Sequence, residues 1–267
     1  MSGALDLLDR RILGAFRVRD PLGRPTGQRL LASAEGLDLY EKRPGEWVVT
    51  RADALPGYDT AFTAQPGGTA IGSVAARVSL KAFGGDCLSR DFTLALPRDP
   101  DPAHRANANS LFRWHEVTMP FAPTAALPSM AAGALVSVTR QGDGFFVEGA
   151  LVRMRPSGNR GEAIGVTNAS GEALLAVHNV PLANSGGGAT VTTDLDAAID
   201  VIVDPGTAGF TNPAELVAAQ RSALARMSGF ADPDDIAARL SGSASAPKTI
   251  AIAAGQTRTA SLVWSAP

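Results

Sequence analysis

Short apolar runs broken by Gly and Pro turns recur along this chain and leave little room for a helix in its first half. Residues 16 to 57 read FRVRDPLGRPTGQRLLASAEGLDLYEKRPGEWVVTRADALPG, where Asp-Pro, Gly-Arg-Pro and Arg-Pro-Gly turns separate runs of strand length. Turn residues spaced this closely stop a helical period from developing, while two-residue alternation survives between them. The second half keeps the same grammar. In VSVTR, Val136 and Val138 share a face; in GALVRMRP, Ala150, Val152 and Met154 share one while Arg153 and Arg155 point the other way. One buried face and one wet face is the pattern of antiparallel sheets packed in pairs.

The fold expected is therefore mainly β: two tandem antiparallel β-sandwich domains. A length of 267 residues suits one large domain or two of ordinary size, of which two is the reading taken, and a 45% hydrophobic share is enough to bury a real core. Residues 1–13 read as an N-terminal arm and 14–97 as the first sandwich. Residues 98–133, rich in Pro and aromatic side chains and without a steady period, read as a linker or crossover, and 134–267 as the second sandwich. A helical insertion at about 212–241 interrupts it. Asn212 and Asp232 each precede a proline in a helix-start pattern, Gly229 stops the first helix, and Leu216, Val217, Leu224 and Met227 form its apolar stripe. GEWVVTRADALPG and GEALLAVHNVPLA share a Gly-Glu before an apolar strand, a faint echo that suggests duplication.

The second half also carries a resemblance. The strand ALVSVTR, then VEGALVRMRPSG, then GVTNASGEALLAVHNVPL with its Asn168 to Gly171 turn, and the closing pair IAIAAGQTRTASLVW resemble the carboxypeptidase regulatory-like and transthyretin-like (prealbumin-like) β-sandwich family. The resemblance covers residues 134–204 and 248–264, with 205–247 a departure, and reaches residues 14–97 more weakly. It implies Ig-like or transthyretin-like sandwiches, with the closing pair forming a hairpin. It implies no activity: such domains serve as spacers, adhesion modules and accessory domains, and where relatives are enzymes the chemistry belongs to another domain.

Candidate chemical sites are few. Cys87 is the single cysteine, which excludes an intrachain disulfide and reads as a small buried hydrophobe. His104, His115 and His178 lack metal-ligand spacing, and His115 and Glu116, as neighbours on a strand, face opposite ways. Asp194, Asp196, Asp200 and Asp204 share parity, so in a regular strand they line one face, either a solvated one or a cation site. SGGGAT lacks the Lys-Ser/Thr of a phosphate loop and reads as a hairpin tip. No G-x-S-x-G elbow occurs. Twenty-four basic against 26 acidic residues, with no long block of one sign, offer no broad surface for nucleic acid or anionic lipid.

No window is apolar enough for a membrane span, and Asp6, Asp9, Arg10 and Arg11 break the N-terminus before a signal peptide develops, so synthesis and folding in the cytoplasm are expected. These readings point to a non-catalytic structural or interaction protein without cofactor or metal. Its expected partners are protein subunits or further copies of itself, in an assembly such as a phage tail or tail-like contractile injection machine. Candidate partner-binding residues are Leu5, Leu8 and Ile12 at helical spacing in the arm, and Phe112, Trp114 and Phe121 in the linker. The alternative is a carbohydrate- or ligand-binding accessory module that stacks its ligand on Trp47, Trp114 or Trp264.

Overall fold

The computed structural model describes residues 12–57, 69–158, 160–178, 180, 182–185, 189–192, 194–217 and 230–265. The protein is mainly β, with several sheets and, among the described residues, one short α-helix. It divides into two compact units, neither an unbroken stretch: Met1–Val18, Leu30–Val78 and Thr93–Val117 in the first, Arg19–Arg29, Ser79–Phe92 and Thr118–Pro267 in the second. Where the sequence pattern placed one boundary at residue 98, the chain changes unit several times, and residues 98–133 are shared out at Val117 and Thr118.

The first seven strands are β1 (Gly14–Arg19), β2 (Arg29–Ser33), β3 (Leu37–Arg43), β4 (Glu46–Ala52), β5 (Val74–Phe83), β6 (Arg90–Leu96) and β7 (His115–Thr118). They form a four-stranded sheet in the order β3-β4-β1-β7 and a three-stranded one in the order β2-β5-β6. Alternation in β1 buries Phe16 and Val18; Phe16 stands opposite Trp47 of β4 and stacks on it at 5.3 Å between ring centroids. Gly45, at φ +80°, turns β3 back into β4, a conformation that only glycine adopts without strain. The segment expected as a linker is itself folded: it contains a 3-10 turn (Pro102–His104) and β7, and it buries Val117, Met119 and Phe121.

In the second unit the chain continues through β8 (Ala132–Arg140), β9 (Phe146–Glu148), β10 (Leu151–Pro156), β11 (Ala163–Val166), β12 (Glu172–Val177), β13 (Leu182–Ser185), β14 (Ala189–Thr192), β15 (Leu195–Ile202), β16 (Gly209–Thr211), helix α1 (Pro233–Leu240), β17 (Lys248–Ile252) and β18 (Thr257–Trp264). One sheet runs β11-β10-β15-β17; the other runs β12-β8-β9-β16 with β18 also on β8; among the described residues β13 and β14 form a two-stranded sheet of their own. Val136 and Val138 of β8, Leu175 of β12, Val152 and Met154 of β10, and Ile199 of β15 belong to one buried cluster drawn from both sheets. Each such side chain contributes about 1.5–3 kcal/mol through burial, and the period-two pattern that predicted these positions follows from the pleat.

Two expectations need correction. β18 pairs with β8 in parallel, from Thr257 opposite Gly133 to Trp264 opposite Arg140, so this sheet is not purely antiparallel. β17 and β18 do not form a hairpin. β17 pairs with β15 in one sheet, and the turn at Gly255, φ +71°, carries the chain across to the other, which is how β18 comes to run alongside β8 in the same direction. The Asn168 to Gly171 turn likewise joins strands of different sheets. The Asn168 side chain accepts from the Ser170 and Glu172 amides at 2.9 and 3.0 Å, and Gly171, φ +68°, has no room for a Cβ because the Val138 carbonyl oxygen would lie 2.5 Å from it. Gly45 closes a hairpin and Gly171 a corner, so the two Gly-Glu echoes play different topological parts.

The helical insertion is present in its second half. Asp232 caps α1 by accepting from the Asp234 and Asp235 amides, and Ile236 buries itself against Leu151, Val166 and Ile202 on the outer face of β10, β11 and β15. Asn212 caps a 3-10 turn (Pro213–Glu215); beyond residue 217 the first expected helix, with Leu224 and Met227, lies outside the described residues.

Candidate functional site

The aspartate row does not converge on a site. Asp196 is exposed, and Asp194 faces Arg258 at 3.6 Å with both side chains half open to solvent. Asp200 is buried beneath two guanidinium groups, its carboxylate accepting from Arg153 Nε at 2.8 Å and from Arg155. Asp204 pairs with Arg239 at 2.7 Å, and that bond, ahead of the other contacts, holds its carboxyl below the usual range. Among the described residues no group of three or more His, Cys, Asp and Glu side chains is placed to hold a metal ion.

The histidines are separated. His104 Nδ1 meets Asp99 Oδ2 at 2.7 Å; that hydrogen bond raises the imidazole pKa, while the Asp101 amide and the histidine together lower that of Asp99. His115 stands on β7 beside Glu116, whose carboxylate pairs with Arg17. His178 ends β12 and donates from Nε2 to the Leu22 carbonyl at 2.9 Å. Burial, as the first cause, pushes the Cys87 thiol up to about 12, which suits a packed side chain and disarms a nucleophile. The middle of SGGGAT lies outside the described residues.

Of the candidate partner-binding residues, Leu5 and Leu8 lie outside the described residues. Ile12 and Phe112 are exposed and Trp114 is half-buried. Phe121 is a core residue of the second unit, packed with Leu22 and Leu174, and offers nothing to a partner. Trp47 and Trp264 are buried against Phe16 and Phe210, so neither presents an open ring to a sugar. Arg140 completes the stack beside Trp264: its guanidinium lies 4.3 Å from the Phe210 ring centroid and 5.3 Å from that of Phe145, and Asp143 pairs with it.

What the sequence did not single out is the outer edge of β18. The carbonyls of Gln256 and Trp264 accept from the Gly133 and Gln141 amides, both at the ends of β8. Even-numbered residues therefore turn their backbone groups toward β8, and Thr257, Thr259, Ser261 and Val263 turn theirs outward. No described strand pairs with that outward edge. Lys248 of β17 reaches over it, donating from Nζ to the Ser261 carbonyl at 3.2 Å.

Beside the C-terminal half of this edge lies a groove of about 590 Å³. β18 supplies one wall through Val263 and Trp264. Val203 and Pro205, just past β15, supply another, and Leu240 with residues 243–246, just past α1, the third. Among the described residues no ionisable side chain lines the groove, and its polar side chains are Ser243, Ser245 and Ser265. What it offers is apolar side chains and serine hydroxyls next to a row of main-chain donors and acceptors, the equipment for holding an extended peptide. No family model, no curated protein and no solved structure matches this chain.

Proposed function

We propose that this chain is a non-catalytic structural protein that works as a subunit of a larger assembly, such as a phage tail or tail-like contractile injection machine. The observation that carries the reading is the outward edge of β18 alongside a groove without ionisable side chains. Among the described residues no strand covers the outward groups of this eight-residue strand, which makes it a template for another strand with a single lysine guarding its middle. The two sheets of the second unit sharing one core also support an Ig-like, transthyretin-like sandwich for that unit, within two tandem β-sandwich domains. Rigid blocks of this type suit particles built by stacking subunits; that step is one of analogy.

Sedimentation of extracts from cells that make the protein tests the reading. The native chain is expected to travel with a particle far heavier than its own 27.5 kDa. The Val263→Arg variant, which sets a charge at the mouth of the groove, is expected to shift toward the free chain. A native chain found only as a monomer in extracts would overturn the assembly reading.

A further inference from the structure

The same edge constrains what docks on it, an inference that rests on the reading of β18 as an interaction surface. We propose that the occupant is an extended segment of another protein, apolar at alternate positions, with a carboxylate where it passes Lys248.

Three observations define that chemistry. First, Thr257, Thr259, Ser261 and Val263 present their main-chain groups at the two-residue repeat of a strand, so an extended chain pairs with them in register. Second, the middle of the edge is guarded. The Lys248 ammonium sits on the Ser261 carbonyl, and a lysine placed on a sheet edge discourages pairing with arbitrary strands. An uncharged strand would have to displace that ammonium and leave it against apolar side chains; a carboxylate passing there gives it a new partner. Arg258, nearer the start of the strand, already has a carboxylate beside it, Asp194 at 3.6 Å, which leaves Lys248 as the cation on this edge that the occupant meets.

Third, just past Ser261 the edge borders a groove where Val203, Pro205, Leu240 and Val263 stand among Ser243, Ser245 and Ser265, a lining that takes uncharged, mainly apolar side chains and supplies no counter-charge. The edge thus carries a cation at Ser261 and an uncharged groove just beyond it, and its occupant needs a carboxylate at the first and uncharged side chains at the second. A second copy of β18 does not supply it. TRTASLVW carries no carboxylate, its one charge is Arg258, and an antiparallel pair about a two-fold axis brings a second Lys248 onto the same edge.

Fluorescence anisotropy with the full-length chain and terminally blocked, dye-labelled peptides tests the proposal. The probes are Asp-Thr-Val-Thr-Val-Thr-Val and its reversed sequence, so that either strand direction is sampled. Two controls accompany them: the same peptides with Lys for Asp, and the same peptides N-methylated at alternate residues. One acidic probe is expected to bind. N-methylation should weaken it at least ~10-fold through lost main-chain hydrogen bonds, and Lys for Asp about threefold, the effect of an exposed ion pair. Lys248→Glu, an exposed change at the start of β17, should reverse the preference between the Asp and Lys peptides.

Absence of binding by every peptide to a protein that is folded by circular dichroism would overturn the proposal. So would equal binding of the Asp and Lys peptides, or indifference to N-methylation. Cross-links between two copies of β18 in the absence of peptide would identify a second copy as the occupant and overturn it as well. If the chain sediments with a particle in extracts while the peptides fail, this inference falls and the assembly reading stands.

Discussion

Asp200 gives the sharpest test of how the second unit is held together. Its side chain is 2% exposed on the outer face of β15 and is clamped by Arg153, 13% exposed, and Arg155, 45% exposed. Asp200→Ala strands the Arg153 guanidinium in a nearly dry site, with Glu162 at 3.7 Å as its remaining acidic neighbour. Removing one partner of a fully buried pair costs about 3–5 kcal/mol. Here Arg155 can turn into solvent and Glu162 can move closer, so the expected loss is about 2–3 kcal/mol. That corresponds to a fall in the unit's Tm of roughly 4–12 °C. The assay is urea unfolding of native, Asp200→Ala, Arg153→Met and double-variant proteins, with the transition of the second unit followed by NMR. The double variant should be more stable than the sum of the single losses, because it removes both charges together. A single-variant loss below about 0.5 kcal/mol, the range of ordinary surface substitutions, or strict additivity, would refute the reasoning.

Other outcomes follow from the same structure. The Asp99–His104 pair makes a pH-dependent contribution bounded on both sides. The raised histidine pKa means its stabilisation is fully present below 6.5 and is lost as pH rises through the folded value; the lowered Asp99 pKa means that carboxylate's share is present above 3.8 and is lost as pH falls through its folded value. An NMR titration should therefore place His104 above 6.5 and show it falling toward that value in Asp99→Asn. Cys87, with its thiol near 12, should resist Ellman's reagent at pH 8 in the folded protein and react fully in urea; rapid reaction without denaturant would contradict its burial. Gly171→Ala combines an unfavourable φ with a 2.5 Å approach to a carbonyl oxygen and should cost at least about 1–3 kcal/mol by chemical denaturation, whereas Gly142→Ala, with open space around it, should cost less.

The alternation of apolar residues in β8, β10 and β15 was legible because the pleat enforces a period of two wherever one face is buried. So were the caps: Asp232 and Asn212 are short acceptors placed before proline, and both bond to amides of the following turn. The parallel entry of β18 was not legible, because a turn such as Ala-Gly-Gln can close a hairpin or carry a chain between sheets, and only long-range packing decides which. The fate of the aspartates shows the same limit. Parity put Asp200 and Asp196 on one face, yet Arg153, one strand away and 47 residues earlier, buried the first and left the second in water. The β18 edge escaped notice because an open edge is a property of what fails to pair, and no run of residues signals it. Phe121 was misread as an adhesive aromatic because its segment has no steady period, and burial of a loop side chain follows from tertiary contacts alone.

Amide hydrogen exchange along β18 bears most directly on the claim that this strand is an open edge used for assembly. In the isolated protein the amides of Thr259, Ser261 and Val263 should exchange much faster than those of Ala260, Leu262 and Trp264, and all should become slow in the assembled particle. Uniformly slow exchange along the isolated strand, or outward amides that stay fast in the particle, would contradict it.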